Sequence, residues 1–139
     1  MSFKEVYESI FQAIKNILLN ISSIKAVNIG EMLKLTDLPL AVVIPRDIRF
    51  EKAGFSRMLQ CTLNIDIIIM IRETEPENWF ADIIVPMSDV LEALLVNDAL
   101  NSIVKSLMPT FFSPGEITAR NKLYYGGLIR IIIVFTFTY

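Results

Sequence analysis

Apolar side chains recur along this chain with two different periods. Between residues 3 and 21 they fall at three- and four-residue steps (Phe3, Val6, Tyr7, Ile10, Phe11, Ile14, Ile17, Leu18, Ile21), leaving Lys4, Glu8, Lys15 and Asn16 on the other side. That spacing predicts an amphipathic helix over 3–21. Ser2 with Glu5 three residues on predicts a capping box at its start, and Ser22-Ser23 marks its end. The same period returns over 75–96, where Trp79, Phe80, Ile83, Ile84, Met87, Val90, Leu91, Leu94 and Leu95 make one stripe. Thr74 and Glu77 predict its capping box, and Pro76 sits in the tolerated first turn. Pro86 is expected on the opposite side near Asp82 and Asp89, bending the helix without ending it.

Elsewhere the period is two. Residues 24–29 (IKAVNI) alternate and predict a short strand; 40–44 (LAVVI), between Pro39 and Pro45, is a continuous apolar run that predicts a strand buried on both faces. Residues 58–72 carry the longest strand signal. Leu59, Cys61, Leu63, Ile65, Ile67, Ile69 and Ile71 point one way, and Gln60, Thr62, Asn64 and Asp66 the other. At full extension it would reach roughly 45 Å, longer than one small sheet needs. Its first half is therefore expected to project as a hairpin arm paired with 46–53, turning at Gly54. Over 98–118 the pattern is mixed, with Pro109 and Pro114 demanding turns; a short helical turn followed by a strand is expected. The chain closes on a strand over 128–139, with Ile129, Ile131, Ile133, Phe135 and Phe137 on one face and Arg130, Thr136 and Thr138 on the other. Gly126-Gly127 before it suggests a bulge or a close backbone approach.

The order α-β-β-β-α-(β)-β predicts an α+β fold: a mostly antiparallel sheet, two main helices packed on one face, and one projecting β-hairpin arm. With 139 residues and no linker, repeat or low-complexity segment, a single domain over 1–139 is expected.

Composition removes most chemistry. There is no histidine, so no imidazole base, no Ser-His-Asp triad and no His-ligated metal. One cysteine, Cys61, excludes an internal disulfide and a multi-Cys zinc site; its place among leucines marks it as core. The five glycines make no phosphate-binding loop, and the acids between 73 and 98 lack calcium-loop spacing. No enzyme, cofactor or metal is expected. The apolar fraction of 53% is high for a small domain, yet the longest uncharged run, 106–115, holds ten residues and two prolines, far short of a membrane span. Surplus apolar surface in a domain of this size is expected to be covered by further subunits.

Charge is unevenly placed. Residues 73–104 hold seven acids and no base, whereas 105–139 hold four bases and one acid. One acidic and one basic face suit head-to-tail packing of identical subunits. Asp82, Asp89 and Glu92 on the second helix are the acidic candidates for such a contact. On the arm, Arg46, Arg49, Lys52 and Arg57 with Phe50 and Phe55 interleaved are the basic and aromatic ones. Asp47 and Glu51 dilute the arm to a net charge of +2, which argues for a protein partner and against direct nucleic-acid recognition. Asp66 is read as a polar-face residue, wet or paired with a base on a neighbouring strand, because no second catalytic group accompanies it. Tyr124-Tyr125 reads as strand-edge packing.

In order along the chain, the amphipathic first helix, KAVNIG, LPLAVVIP, LQCTLNIDIII, the acidic helix with VLEALLVNDAL, and the closing YYGGLIRIIIVFTFTY resemble the phage tail terminator (tail completion, minor tail protein) family. The resemblance covers nearly the whole chain. It implies a structural virion protein without an active site, a homo-hexameric ring that caps the tail tube and meets the head-side neck or head-completion protein. It also implies a place in the virion tail, with assembly in the host cytoplasm. Two other functions fit the residues: another small neck, head–tail connector or tail component, and a module binding a small apolar ligand between sheet and helices.

Overall fold

The computed structural model describes residues 2–30, 37–54, 56–71, 77–119 and 122–139. Along them run α1 (Phe3–Leu19), β1 (Ala26–Ile29), β2 (Leu40–Lys52), β3 (Met58–Met70), α2 (Trp79–Val96), β4 (Ser106–Ala119) and β5 (Lys122–Thr138). The strands form one five-stranded sheet in the order β1-β2-β3-β5-β4. β1 runs parallel to β2, and every other pair is antiparallel. This is the expected α+β arrangement, with both helices on one face of the sheet.

The alternation in β3 decides which face that is. Cys61, Leu63, Ile65, Ile67 and Ile69 are fully buried, as are Ile129, Ile131 and Ile133 of β5 beside them. Ile10, Ile14 and Leu18 of α1 and Ile83, Met87, Val90 and Leu94 of α2 close over these side chains in one apolar cluster. Each such large side chain contributes about 1.5–3 kcal/mol relative to exposure. The centre of the gap between sheet and helices is thus filled by core residues; a depression of about 640 Å³ lies beside α1, lined by Tyr7, Phe11, Ile29 and Pro45 among others. Gly127 permits this closeness of sheet and helix, and Gly126 permits close packing on the other face, beside Ile117. A Cβ on Gly126 would collide with the Ile69 carbonyl, and one on Gly127 would lie 2.7 Å from the Ser113 carbonyl and against the Met87 thioether.

The helix ends differ in how well they follow the expected caps. Ser2 accepts from the Glu5 backbone N–H at 3.2 Å and donates its hydroxyl to the Glu5 carboxylate at 3.1 Å, a capping box in which the hydroxyl links backbone and side chain. The helix stops at Leu19, two residues early, and Ile21 still packs on the core. α2 begins at Trp79 behind Asn78, which makes no side-chain cap; Glu77 and Asn78 are in a turn, and Thr74, Pro76 and residue 75 lie outside the described residues. Pro86 is buried beside Ile83 and Val90, which are three residues before it and four after; the expectation that it faces outward with Asp82 and Asp89 is corrected. Phe80 and Leu95, counted in the apolar stripe, are exposed.

Three strand expectations also change. Strand β1 starts at Ala26, and β3 ends at Met70, with Arg72 outside the described residues. Pro109 and Pro114 lie inside β4 and do not break it, because β4 is an edge strand where a missing N–H removes no ladder bond; the register slips once, between Pro109 and Phe111. The turn after α2 is left-handed: Leu100, Asn101 and Ser102 have φ of 46°, 56° and 68°. The hairpin of 46–53 with β3 forms as expected, from Ile48↔Leu63 to Lys52↔Leu59. It is not a free two-stranded arm, however, because β5 pairs along the other side of β3 as far as Met58↔Thr138. Phe3 of α1 also packs on its end, against Phe50 at 5.9 Å and Phe137 at 5.6 Å between ring centres.

Candidate functional site

The face of the sheet turned away from the helices carries the side chains that β3 presents between its core positions, together with their register partners. Among the described residues no helix covers it. At one end Leu40, Val42, Met70 and Tyr124 form a small second apolar cluster beneath Leu38. Beyond that cluster the face becomes charged.

At its centre is Asp66, the one buried charged side chain among the described residues, 3% exposed. Arg46 on β2 donates its Nε–H to Asp66 Oδ2 at 2.8 Å, and Arg130 on β5 donates its Nε–H to Asp66 Oδ1 at 2.8 Å. Register makes this possible. Asp66 lies directly opposite Arg130, and the slip between Pro45 and Ile48 places Arg46 and Asp47 on the same face in turn, Asp47 accepting from the Asn64 amide at 3.2 Å. Burial alone would raise the Asp66 pKa; the hydrogen bonds and charges of Arg130 and Arg46 outweigh it and hold the carboxyl below its ordinary value. The same bond holds the Arg130 guanidinium firmly protonated. The Phe111 ring on β4 lies 5.4 Å from the Arg130 guanidinium carbon. Asp66 is therefore paired on both oxygens, which decides between the two expected states, wet or paired with a neighbouring-strand base, and its depressed pKa makes it no general base near neutral pH. Arg130 lies on this face as its strand alternation predicts, and its pairing with Asp66 gives it a role that alternation alone does not. Its signal was available: a lone base in an apolar strand matching a lone acid in another.

The other arm residues divide between the two faces. Arg49 pairs opposite Thr62 on the open face, whereas Phe50 pairs opposite Cys61 on the helix side, and Lys52 follows it there opposite Leu59. The Arg57 carbonyl accepts from the Tyr139 N–H at 2.8 Å, fixing the turn to the end of the chain. Phe55 lies outside the described residues. The arm is thus not one continuous patch: Arg46 and Arg49 share a face with Arg130, and Phe50 belongs to the Phe3 cluster.

On α2, Asp89 accepts from the Ser23 hydroxyl at 2.7 Å and ties the helix to the turn after α1. Asp82 and Glu92 are exposed. Around Glu92 the helix exposes apolar side chains, Val85, Leu95 and Val96, the last 82% exposed. Met108 and Phe111 on β4 are also large exposed apolar residues. Trp79 stacks on Tyr125 at 5.5 Å, while Tyr124 is buried on the opposite face; both lie where β5 runs past the last β3 pair, Met70↔Gly126, and pairs with β4. Burial pushes the Cys61 thiol pKa up, which disfavours the reactive thiolate. Among the described residues no three metal-binding side chains gather, and no helix is long and apolar enough to cross a membrane.

Neither protein-family profiles nor curated proteins give a match to this sequence. Solved structures do. The sheath/tube terminator of an extracellular contractile injection system, PVC, in its extended state matches 95% of this chain with a TM-score of 0.58 at 14% identity. This chain spans 57% of the length of that protein. At so low an identity the likeness is one of fold: nearly the whole chain is built like part of a contractile injection system's sheath/tube terminator.

Proposed function

We propose that this chain is a structural, non-enzymatic subunit of a tail or tail-like injection assembly, and that it closes into a homo-hexameric ring capping the end of the tail tube. The observation that carries the reading is the fold match to a sheath/tube terminator over nearly the full chain. That protein is named for sheath and tube, so the tube end is the partner to which the reading commits; a neck or head-completion protein on the far side follows from the family resemblance in sequence. The paired state of Asp66 and the burial of Cys61 leave the two most plausible reactive side chains without a chemical task. Two surfaces that no other described element covers, the open sheet face and the outward side of α2, give a subunit the unlike faces that a closed head-to-tail ring requires. The virion tail, assembled in the host cytoplasm, is the location consistent with that role.

Sedimentation at micromolar concentration tests the ring. A species several times the monomer mass of 15.8 kDa, six-fold preferred, is expected. A strict monomer at high concentration, with tail tubes also present, contradicts it.

A further inference from the structure

We propose that the Arg46–Asp66–Arg130 cluster is a socket for a carboxylate of a second copy of this chain, presented by Glu92 on the outward side of α2. The inference rests on the ring reading and names the two surfaces that meet in it.

The socket is built before any partner arrives. Each arginine spends its Nε–H on a different oxygen of Asp66, at 2.8 Å in both cases. A guanidinium has five N–H donors, so the terminal amino groups of both remain for a further acceptor. The two arginine side chains are about half exposed (51% and 47%) while the aspartate is 4% exposed; the acid orients two bases that still reach solvent, and the group keeps one net positive charge. It borders a depression of about 320 Å³, walled by Phe111, Ser113 and Ile117 of β4. Arginine pairs pre-oriented in this way suit bidentate capture of a carboxylate.

The matching surface lies on the same chain but out of its own reach. α2 packs through Ile83, Met87, Val90 and Leu94 on the opposite face of the sheet, so Glu92 points away from its own socket. Glu92 is exposed, belongs to a stretch of seven acids and no base, and stands among exposed Val85, Leu95 and Val96. An acid among exposed apolar side chains complements two arginines beside the exposed Phe111 and Met108 of β4, in charge and in polarity. Because the two patches are different, their pairing is heterologous and propagates from copy to copy until it closes.

The test uses the full chain. Glu92→Lys, at an exposed helix position, is expected to leave the thermal unfolding midpoint in place and to weaken self-association about tenfold or more by sedimentation. The variant Arg46→Met with Asp66→Leu and Arg130→Met removes all three charges together and strands none, so it is expected to fold and to lose the same association. Mixing Leu95→Cys protein, which keeps Glu92, with Phe111→Cys protein and oxidising is expected to give a cross-linked heterodimer that neither protein forms alone; Cys61, being buried, stays silent. If the wild type assembles while Glu92→Lys assembles equally well and the mixture does not cross-link, the socket assignment is wrong and the ring stands. If the wild type forms no assembly with or without tubes, both readings fall.

Discussion

Replacing Asp66 by asparagine isolates the one buried charged group among the described residues. The change keeps volume and removes the charge. The amide oxygen can still accept from one arginine, but its NH2 faces the donor of the other, so one of the two 2.8 Å bonds becomes a donor–donor contact. A hydrogen bond to a charged group contributes about 1.5–3 kcal/mol, and breaking a buried ion pair from one side costs about 3–5 kcal/mol. Here both arginines are half exposed and water can resolvate them, which places the loss near the lower figures, about 2–3 kcal/mol. With an unfolding entropy of about 2.1 cal/mol/K per residue, that corresponds to a melting point lower by about 7–10 °C. Its pH dependence has a definite sign. The folded pKa of Asp66 lies below the ordinary 3.8, so its stabilisation is fully present above that value and disappears as pH falls through the folded pKa. Calorimetry of both proteins between pH 7 and pH 2.5 should show a constant gap down to about pH 5, closing below pH 4. A variant within about 0.5 kcal/mol of wild type at pH 7, or a gap that widens in acid, would refute the reasoning.

Gly126→Ala should destabilise by about 1–3 kcal/mol because its methyl meets the Ile69 carbonyl, whereas Gly115→Ala, with open space around the new atom, should be neutral or slightly stabilising; urea unfolding of both checks the contrast. Ser2→Ala should cost about 1 kcal/mol through loss of the α1 cap, read from the same unfolding curves. The Cys61 thiol should react with an aromatic disulfide reagent only at the rate of unfolding, and fast labelling of the native protein would contradict its burial.

What was legible from sequence follows from where burial is one-sided. β3 and β5 alternate cleanly because one face meets the helices, so their core residues could be read directly from period two. β4 could not. An edge strand tolerates Pro109 and Pro114, and that tolerance depends on a strand order no local pattern reveals. The arm is legible as a hairpin but not as part of the main sheet, since its second strand is also paired by β5, eighty residues away at Met58↔Thr138. Pro86 shows the limit of a helical wheel: its neighbours at three and four residues include both Asp82 and Asp89 and both Ile83 and Val90, and only packing chose between them. The charged cluster was half legible. Asp66 is legible as a polar-face residue, either wet or paired with a neighbouring-strand base, but two arginines on opposite sides require both registers and the slip after Pro45.

Electron microscopy of the purified protein mixed with tail tubes tests the central claim most directly. Annular particles of six subunits in free solution, and tubes carrying one such annulus at a blunt end, are the predicted result. Protein that stays monomeric at high concentration and leaves both tube ends bare would contradict it.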